Sequence, residues 1–317
     1  MIYYMSPDDG AALADVRELL VIGAGGKMGP SLVERAMRVA PHAKVVAVAR
    51  GFEGQVGNLP HQRICADLLD RKQVEALPDS QNVIFLAGRK FGSTGNEPLT
   101  WATNALLPAL IAERYRDARI VALSSGNVYP LTREGANEQT PPAPVGEYAQ
   151  SVLARERIFE YFSGRYGTRM ALLRLNYAID VTYGVLLDIG QRVFRRQPVS
   201  VEMGAVNVIW HEDANSVVLR SLALASAPPF VLNVTGPEVL RVRDLAFSFG
   251  RIFGIEPEFQ GREGDTALLS DASLCHRLMG PLSVSVEQMI ARVAEWIRAG
   301  KPTLDRPTHF EVRDGKF

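Results

Sequence analysis

Glycines 23, 26 and 29 carry the spacing of a phosphate seat. They lie in Gly23-Ala24-Gly25-Gly26-Lys27-Met28-Gly29-Pro30, directly after the apolar run Leu19-Leu20-Val21-Ile22 and just before a helix expected from about Ser31. In such a turn one glycine allows the sharp bend, one lets backbone N–H groups approach a pyrophosphate, and one lets the helix pack closely on the strand. The helix N-terminus then adds a partial positive charge for the anion. Glycine turns also serve simply as tight connections, so the rest of the chain must decide between the two uses.

A dinucleotide turn requires a strand, a helix and a second strand, and the chain supplies them. An amphipathic helix to about Ala40 is followed by Lys44 to Arg50, a continuous apolar run expected of a strand buried on both faces of a parallel sheet. The alternation continues with a strand at Arg63–Asp67, a helix at Arg71–Leu77, a strand at Asn82–Ala87, a helix from about Pro98 to Tyr115 and a strand at Arg119–Ser124. After the proline-rich loop Thr140–Pro144 come a long helix, Val145 to about Tyr166, and a strand at Met170–Arg174. This order predicts an α/β protein with a Rossmann-type doubly wound parallel sheet. Ahead of it, Ser6-Pro7-Asp8-Asp9 reads as an N-cap opening a short helix from Pro7 to about Val16.

Beyond Asn176 the elements shorten: a helix near Val185–Arg196, a strand near Val206–Trp210, a helix at Asp213–Ala225, a strand at Val231–Val234, and helices near Val242–Phe253, Asp271–Met279 and Val286–Arg298. The expected division is a dinucleotide-binding domain over 1–175, with 206–234 returning to it. Residues 176–205 and 235–317 then form a smaller, partly interleaved α+β substrate-binding domain. The tail Pro302–Phe317 reads as a surface strap, and within it Thr308 to Arg313 could also seal the pocket or reach a neighbouring subunit.

With 317 residues, formal net charge +0 and 47% hydrophobic residues, the chain has the composition of an ordinary globular protein. The balanced charge argues against nucleic-acid and membrane-surface partners. No run approaches the ~20 apolar residues of a membrane span, and the first residues lack the pattern of a signal peptide, so a cytoplasmic location is expected. Cys65 and Cys275 are far apart and outside any ligand spacing, although His276 adjoins one of them; both are expected to be buried thiols, with no disulfide and no metal.

By Ser124 the chain resembles the extended short-chain dehydrogenases, the NAD(P)-dependent sugar epimerases and dehydratases, and the resemblance covers nearly its whole length. The glycine turn fits their Gly-x-x-Gly-x-x-Gly. Cys65-Ala66-Asp67-Leu68 resembles their acidic step at the adenine, Phe85-Leu86-Ala87-Gly88 the strand end beside the cofactor riboses, and Asn104 their helix asparagine. Leu123-Ser124-Ser125-Gly126-Asn127-Val128-Tyr129 resembles the serine-bearing strand end, Tyr148-Ala149-Gln150-Ser151-Val152 falls where Tyr-x-x-x-Lys belongs, and Glu156 matches a glutamate further along that helix. His211-Glu212-Asp213 and Leu232-Asn233-Val234-Thr235-Gly236 agree as well. Dihydrodipicolinate reductases share a similar glycine turn, but the serine and tyrosine stretches do not fit them.

The resemblance implies hydride transfer at a nicotinamide, with the Tyr148 phenol exchanging a proton with a substrate hydroxyl or carbonyl and Ser125 orienting the same oxygen. It places the cofactor against Gly23, Gly25, Gly26, Lys27, Met28, Gly29, Arg50, Asp67, Leu68, Leu86, Ala87, Gly88, Asn104, Ser124 and Tyr148. The substrate is expected against Arg89, Ser125, Asn127, Asn176 and Tyr177; Arg174 to Asp180 departs from the family's turn, so no nucleotide-sugar specificity is carried over. A homodimer through helices 98–115 and 145–166 is also implied.

The family's lysine is replaced by Val152. A free tyrosine titrates near pH 10, and bringing it to about 7 needs roughly 4 kcal/mol of charge stabilisation that valine does not offer. Lys90 is one candidate cation and is expected as a third catalytic group. Arg89 lies beside it, and Arg155 sits two turns beyond Tyr148 and must stretch back. Alternatively Arg89 and Lys90 bind an anionic substrate group, Tyr148 acts without ionising, or the chain is a nucleotide-binding pseudoenzyme with a regulatory or scaffolding role. Arg50, at the end of the second strand, favours the 2′-phosphate of NADP, while Glu53 or a backbone group could instead meet an NAD ribose. Asn207, Trp210, His211, Tyr129 and Glu134 could line the pocket or belong to the core. The expected substrate is a sugar-like acid or ketone.

Overall fold

Leu19 to Ile22 have no polar face, and strand β1 (Glu18–Ile22) accordingly lies inside the sheet, paired in parallel with β2 (Lys44–Ala49) on one side and β4 (Asn82–Phe85) on the other. The computed structural model describes residues 7–52 and 62–316; Ser6 and Glu53, and the expectations attached to them, lie outside the described residues. Beyond β2 runs β3 (Gln62–Cys65), and beyond β4 run β5 (Arg119–Ser125) and β6 (Met170–Leu175). After β6 the chain makes only two-residue strands, β7 (Ala178–Ile179), β8 (Val199–Ser200), β9 (Ala205–Val206) and β10 (Ile209–Trp210), before β11 (Phe230–Val234) completes the large sheet beside β6. The order β3-β2-β1-β4-β5-β6-β11, parallel throughout, reverses direction between β1 and β4. That switch point opens a crevice at the carboxyl ends of the strands, where doubly wound sheets bind ligands.

Helices cover both faces. One core packs α2 (Gly29–Val39) and α8 (His211–Arg220) on the sheet, with the short α1 (Pro7–Ala12) against α8 and α10 (Ser273–Met279) against β11. The opposite core is built from Val74 of α3 (Arg71–Glu75), Leu107, Leu110 and Ile111 of α5 (Leu107–Arg114) and Phe159 of α6 (Gly146–Tyr166). A third core joins α7 (Val185–Phe194), α9 (Val242–Phe253) and α11 (Val286–Arg298), and Phe310 of the tail closes it.

Several elements depart from expectation. The helix expected over 98–115 is α4 (Glu97–Trp101), a π segment (Ala102–Leu106) and α5 in succession. Pro108 has no N–H to bond the carbonyl four residues back, and the wider register absorbs the defect. The strand expected over Val206–Trp210 divides into β9, paired with β12 (Leu240–Arg241), and β10, paired with β7. Between them Asn207 turns inward and donates from Nδ2 to the Ser270 carbonyl at 2.6 Å. A last short pair joins β8 to β13 (Phe259–Gln260). The first helix ends at Ala12 rather than near Val16. Of the two thiols only Cys275 is buried; Cys65 is exposed because β3 is an edge strand.

Candidate active site

The glycine turn is a cradle that side chains would fill. Gly23 holds φ +86°, and a Cβ there would stand 2.6 Å from the Ala87 nitrogen; a Cβ on Gly29 would stand 2.2 Å from the Ala24 carbonyl oxygen. Helix α2 begins at Gly29, which lines the crevice, and no side chain caps it, so its partial positive charge is open to an anion. One lobe of the crevice is lined by Gly25, Arg50, Asp67, Leu68 and Ala87, together with Arg306 of the tail. The other is lined by Lys27, Ser124, Ser125, Asn127, Tyr148 and Arg155, and both lobes share Gly23, Gly26, Leu86 and Gly88. A long crevice bent around a glycine cradle and a helix N-terminus fits a dinucleotide, with its pyrophosphate over the glycines.

At the second lobe β5 delivers Ser125 and α6 delivers Tyr148. Ser125 accepts the Asn127 N–H at 3.2 Å and donates its own proton to Asn127 Oδ1 at 3.0 Å. Tyr148 shares a hydrogen bond with the Ser125 side chain. Burial raises the phenol above its usual range, while the Arg155 guanidinium and the Ser125 hydrogen bond pull the other way. Ser124, expected at the cofactor, donates to Glu156, which in turn pairs with Arg174 at 2.7 Å.

Asn104 is the hub beneath these groups. It lies fully buried in the π segment. Its Oδ1 accepts from the Arg89 N–H at 2.9 Å and from Arg155 Nη2 at 2.7 Å, and its Nδ2 donates to the Arg89 carbonyl and to Ser151 Oγ, each at 2.9 Å. All four bonds of the amide are therefore made inside the protein.

Two lysines reach the same lobe. Lys27 donates from Nζ to the Ala178 carbonyl at 2.6 Å and stands 3.8 Å from the ring centre of Tyr183. Lys90 lies 5.9 Å from the ring centre of Tyr148 and donates to the Thr308 carbonyl at 3.4 Å. Burial lowers both ammonium groups to about 8. Asp188 of α7 anchors the tail by accepting the Thr308 N–H at 2.8 Å. Tyr177, with φ +43°, lines the lobe as well, and burial raises its phenol.

The crevice thus brings together all of the residues assigned to cofactor and substrate, apart from Asn104, which acts from beneath it. Their side chains are not equally open. Asn176 lines the lobe but spends its amide on Asn207 Oδ1 and the Leu268 carbonyl, and Arg89 turns toward the Gly92 carbonyl. Other candidates stay outside. Tyr129 accepts from Arg174 and donates to Asn233 in the interior, His211 bridges Ser31 and Asp180, Trp210 is buried in the third core, and Glu134 is exposed. Sequence reasoning did not find Tyr183, Asp188 or Arg306, whose places are set by tertiary contacts alone, and it reached Thr308 only as part of a tail segment that could seal the pocket.

A parallel sheet with a glycine cradle at its switch point is the architecture of a dinucleotide-binding protein, and a serine and a tyrosine stand beside the cradle. The NAD dependent epimerase/dehydratase family model matches residues 19–178, and the chain belongs to that family. Among solved structures it is similar to UDP-glucose 4-epimerase from Thermotoga maritima, with 20% identity, 89% of this chain and 99% of that one covered, and a TM-score of 0.74. It is similar also to UDP-glucose 4-epimerase from Thermus thermophilus in complex with NAD (23% identity, 89% and 99% covered, TM-score 0.71). A third is UDP-glucuronic acid 4-epimerase from Bacillus cereus (16% identity, 89% and 99% covered, TM-score 0.76). At these identities the likeness speaks for the fold. No curated protein matches the chain in sequence. Among the described residues no helix is long and apolar enough to cross a membrane.

Proposed function

We propose that the chain is an epimerase or oxidoreductase that works on a hydroxyl-bearing carbon of a sugar or sugar acid carried on a nucleotide. The observation that carries this reading is the Ser125–Tyr148 hydrogen bond at the inner end of a glycine-cradled crevice. A bound nicotinamide supplies the acceptor and donor of hydride. Tyr148 Oη takes the proton of the substrate hydroxyl and returns it to the same oxygen. Ser125 Oγ, fixed by both groups of Asn127, orients that oxygen. Lys27 and Lys90 favour a substrate with an anionic group, a phosphate or a carboxylate. Arg50 and Arg306, flanking one lobe with Asp67, favour the 2′-phosphate of NADP over NAD.

The test is to incubate the full chain with NAD or NADP and either UDP-glucose or UDP-glucuronic acid, then separate the products by ion-exchange chromatography. A new isomer or an oxidised sugar supports the reading. Tight retention of cofactor with no product from either sugar nucleotide contradicts it and favours the pseudoenzyme.

A further inference from the structure

Among the described residues three arginines are buried, and two have a carboxylate. Arg35 pairs with Asp9 at 2.5 Å and Arg174 with Glu156 at 2.7 Å. The third, Arg155, has no carboxylate within ion-pair distance among the described residues. It donates from Nη1 to the Leu123 carbonyl and from Nη2 to Asn104 Oδ1, both at 2.7 Å, while its Nε is buried without a hydrogen-bond partner. A guanidinium taken out of water without an anion is costly, and the cost is offset when an anion arrives. Of the phenols that line this lobe, Tyr148, Tyr177 and Tyr183, it is Tyr148 whose charge Arg155 feels. Tyr148, Val152 and Arg155 follow one another along a single face of α6, and Tyr148 and Arg155 both line the lobe.

We propose that Arg155 is the positioning cation of this site, favouring the ionised form of Tyr148 Oη from two turns away, in the place of a charge that Val152 cannot supply. The inference rests on Tyr148 being the acid–base group. Three features put the guanidinium there. Gly88 leaves the space, since a Cβ at that position would stand 2.7 Å from Nη2. Asn104, held by Ser151 and by both backbone groups of Arg89, fixes the fork. Val152 is buried and adds no competing polar group. The attraction between Arg155 and Tyr148 lowers the phenol against the effect of burial. Arginine does not release its proton, so Arg155 stabilises the phenolate without joining the proton transfer.

The test reads Tyr148 directly and needs neither cofactor nor substrate. A difluorotyrosine is placed at position 148 of the full chain by amber suppression, and its ionisation is followed by fluorine NMR against pH. In Arg155→Gln, which keeps donors for Leu123 and Asn104 but loses the charge, the midpoint moves to higher pH by roughly 1–3 pH units. Arg155→Lys leaves it near the parent value, and adding Val152→Lys to Arg155→Gln brings it back down. A midpoint unchanged in Arg155→Gln, with parent-like circular dichroism, overturns the proposal. A rise of equal size in Val152→Ala, which alters packing and no charge, overturns it also. Should Arg155→Gln fail to fold, an Arg155→Lys midpoint displaced as far upward as the same range overturns it, and one held at the parent value supports it. The titration gives its answer even where the full chain converts no sugar nucleotide, so the two readings fail separately.

Discussion

At the scale of single residues, charge placed in a dry pocket governs what the site can do. Lys27 and Lys90 are held at about 8 by burial, against an ordinary lysine value of 10.5. Both ammonium groups are therefore protonated below that point and neutral above it. The affinity for UDP-glucuronic acid, followed by calorimetry, should fall as pH rises through about 8, and Lys90→Met should flatten the fall. The effect on folding has the opposite sign. The folded chain binds fewer protons than the unfolded chain between 8 and 10.5, so the contribution of these two lysines to stability rises with pH across that window. Arg50 belongs to the same scale: Arg50→Ala should weaken NADP binding and leave NAD binding nearly unchanged. Equal affinity for both cofactors, untouched by the substitution, would remove the argument from Arg50.

At the scale of elements, the sequence showed which strands and helices exist and much less about how they bend. Glycines 23, 26 and 29 were legible because a backbone approach needs that residue type at that spacing, and Ser125 and Tyr148 only through the family resemblance, whose motifs fall at a strand end and a helix start. The π segment was not legible as such. Its cause, Pro108, stands in the sequence, but a proline in a helix permits a kink, a break or a wider turn, and only packing selects among them. Asn104 rides on that segment and ties Arg89, Ser151 and Arg155 together. Asn104→Leu strands several buried polar groups at once, at about 1–3 kcal/mol for each one left unpaired. Urea unfolding should show a loss of that order or more; an unchanged midpoint would mean that the network does not hold this wall. Gly29→Ala drives a methyl into the Ala24 carbonyl and should abolish dinucleotide binding.

At the scale of the whole molecule, chain segments far apart in sequence meet at one crevice. Lys27 of the first turn reaches Ala178, and the tail returns to set Thr308 on Asp188, Phe310 in the third core and Arg306 at the lobe lined by Arg50 and Asp67. None of these long-range contacts leaves a local trace, which is why Arg155 reads from sequence only as a cation on the correct helix face. The outer face of the π segment and α6 exposes Leu106 and Tyr161, with Trp101 of α4 nearby. A homodimer built on those helices would cover these side chains. Leu106→Arg with Tyr161→Arg should yield a monomer in sedimentation velocity, and a parent protein already monomeric would set that arrangement aside. Whether Tyr148 moves the substrate proton is read from the rate of sugar-nucleotide conversion in the parent chain and in Tyr148→Phe. The expected result is a loss of ~10²–10⁴ in kcat with cofactor affinity retained; conversion by Tyr148→Phe at the parent rate would contradict it.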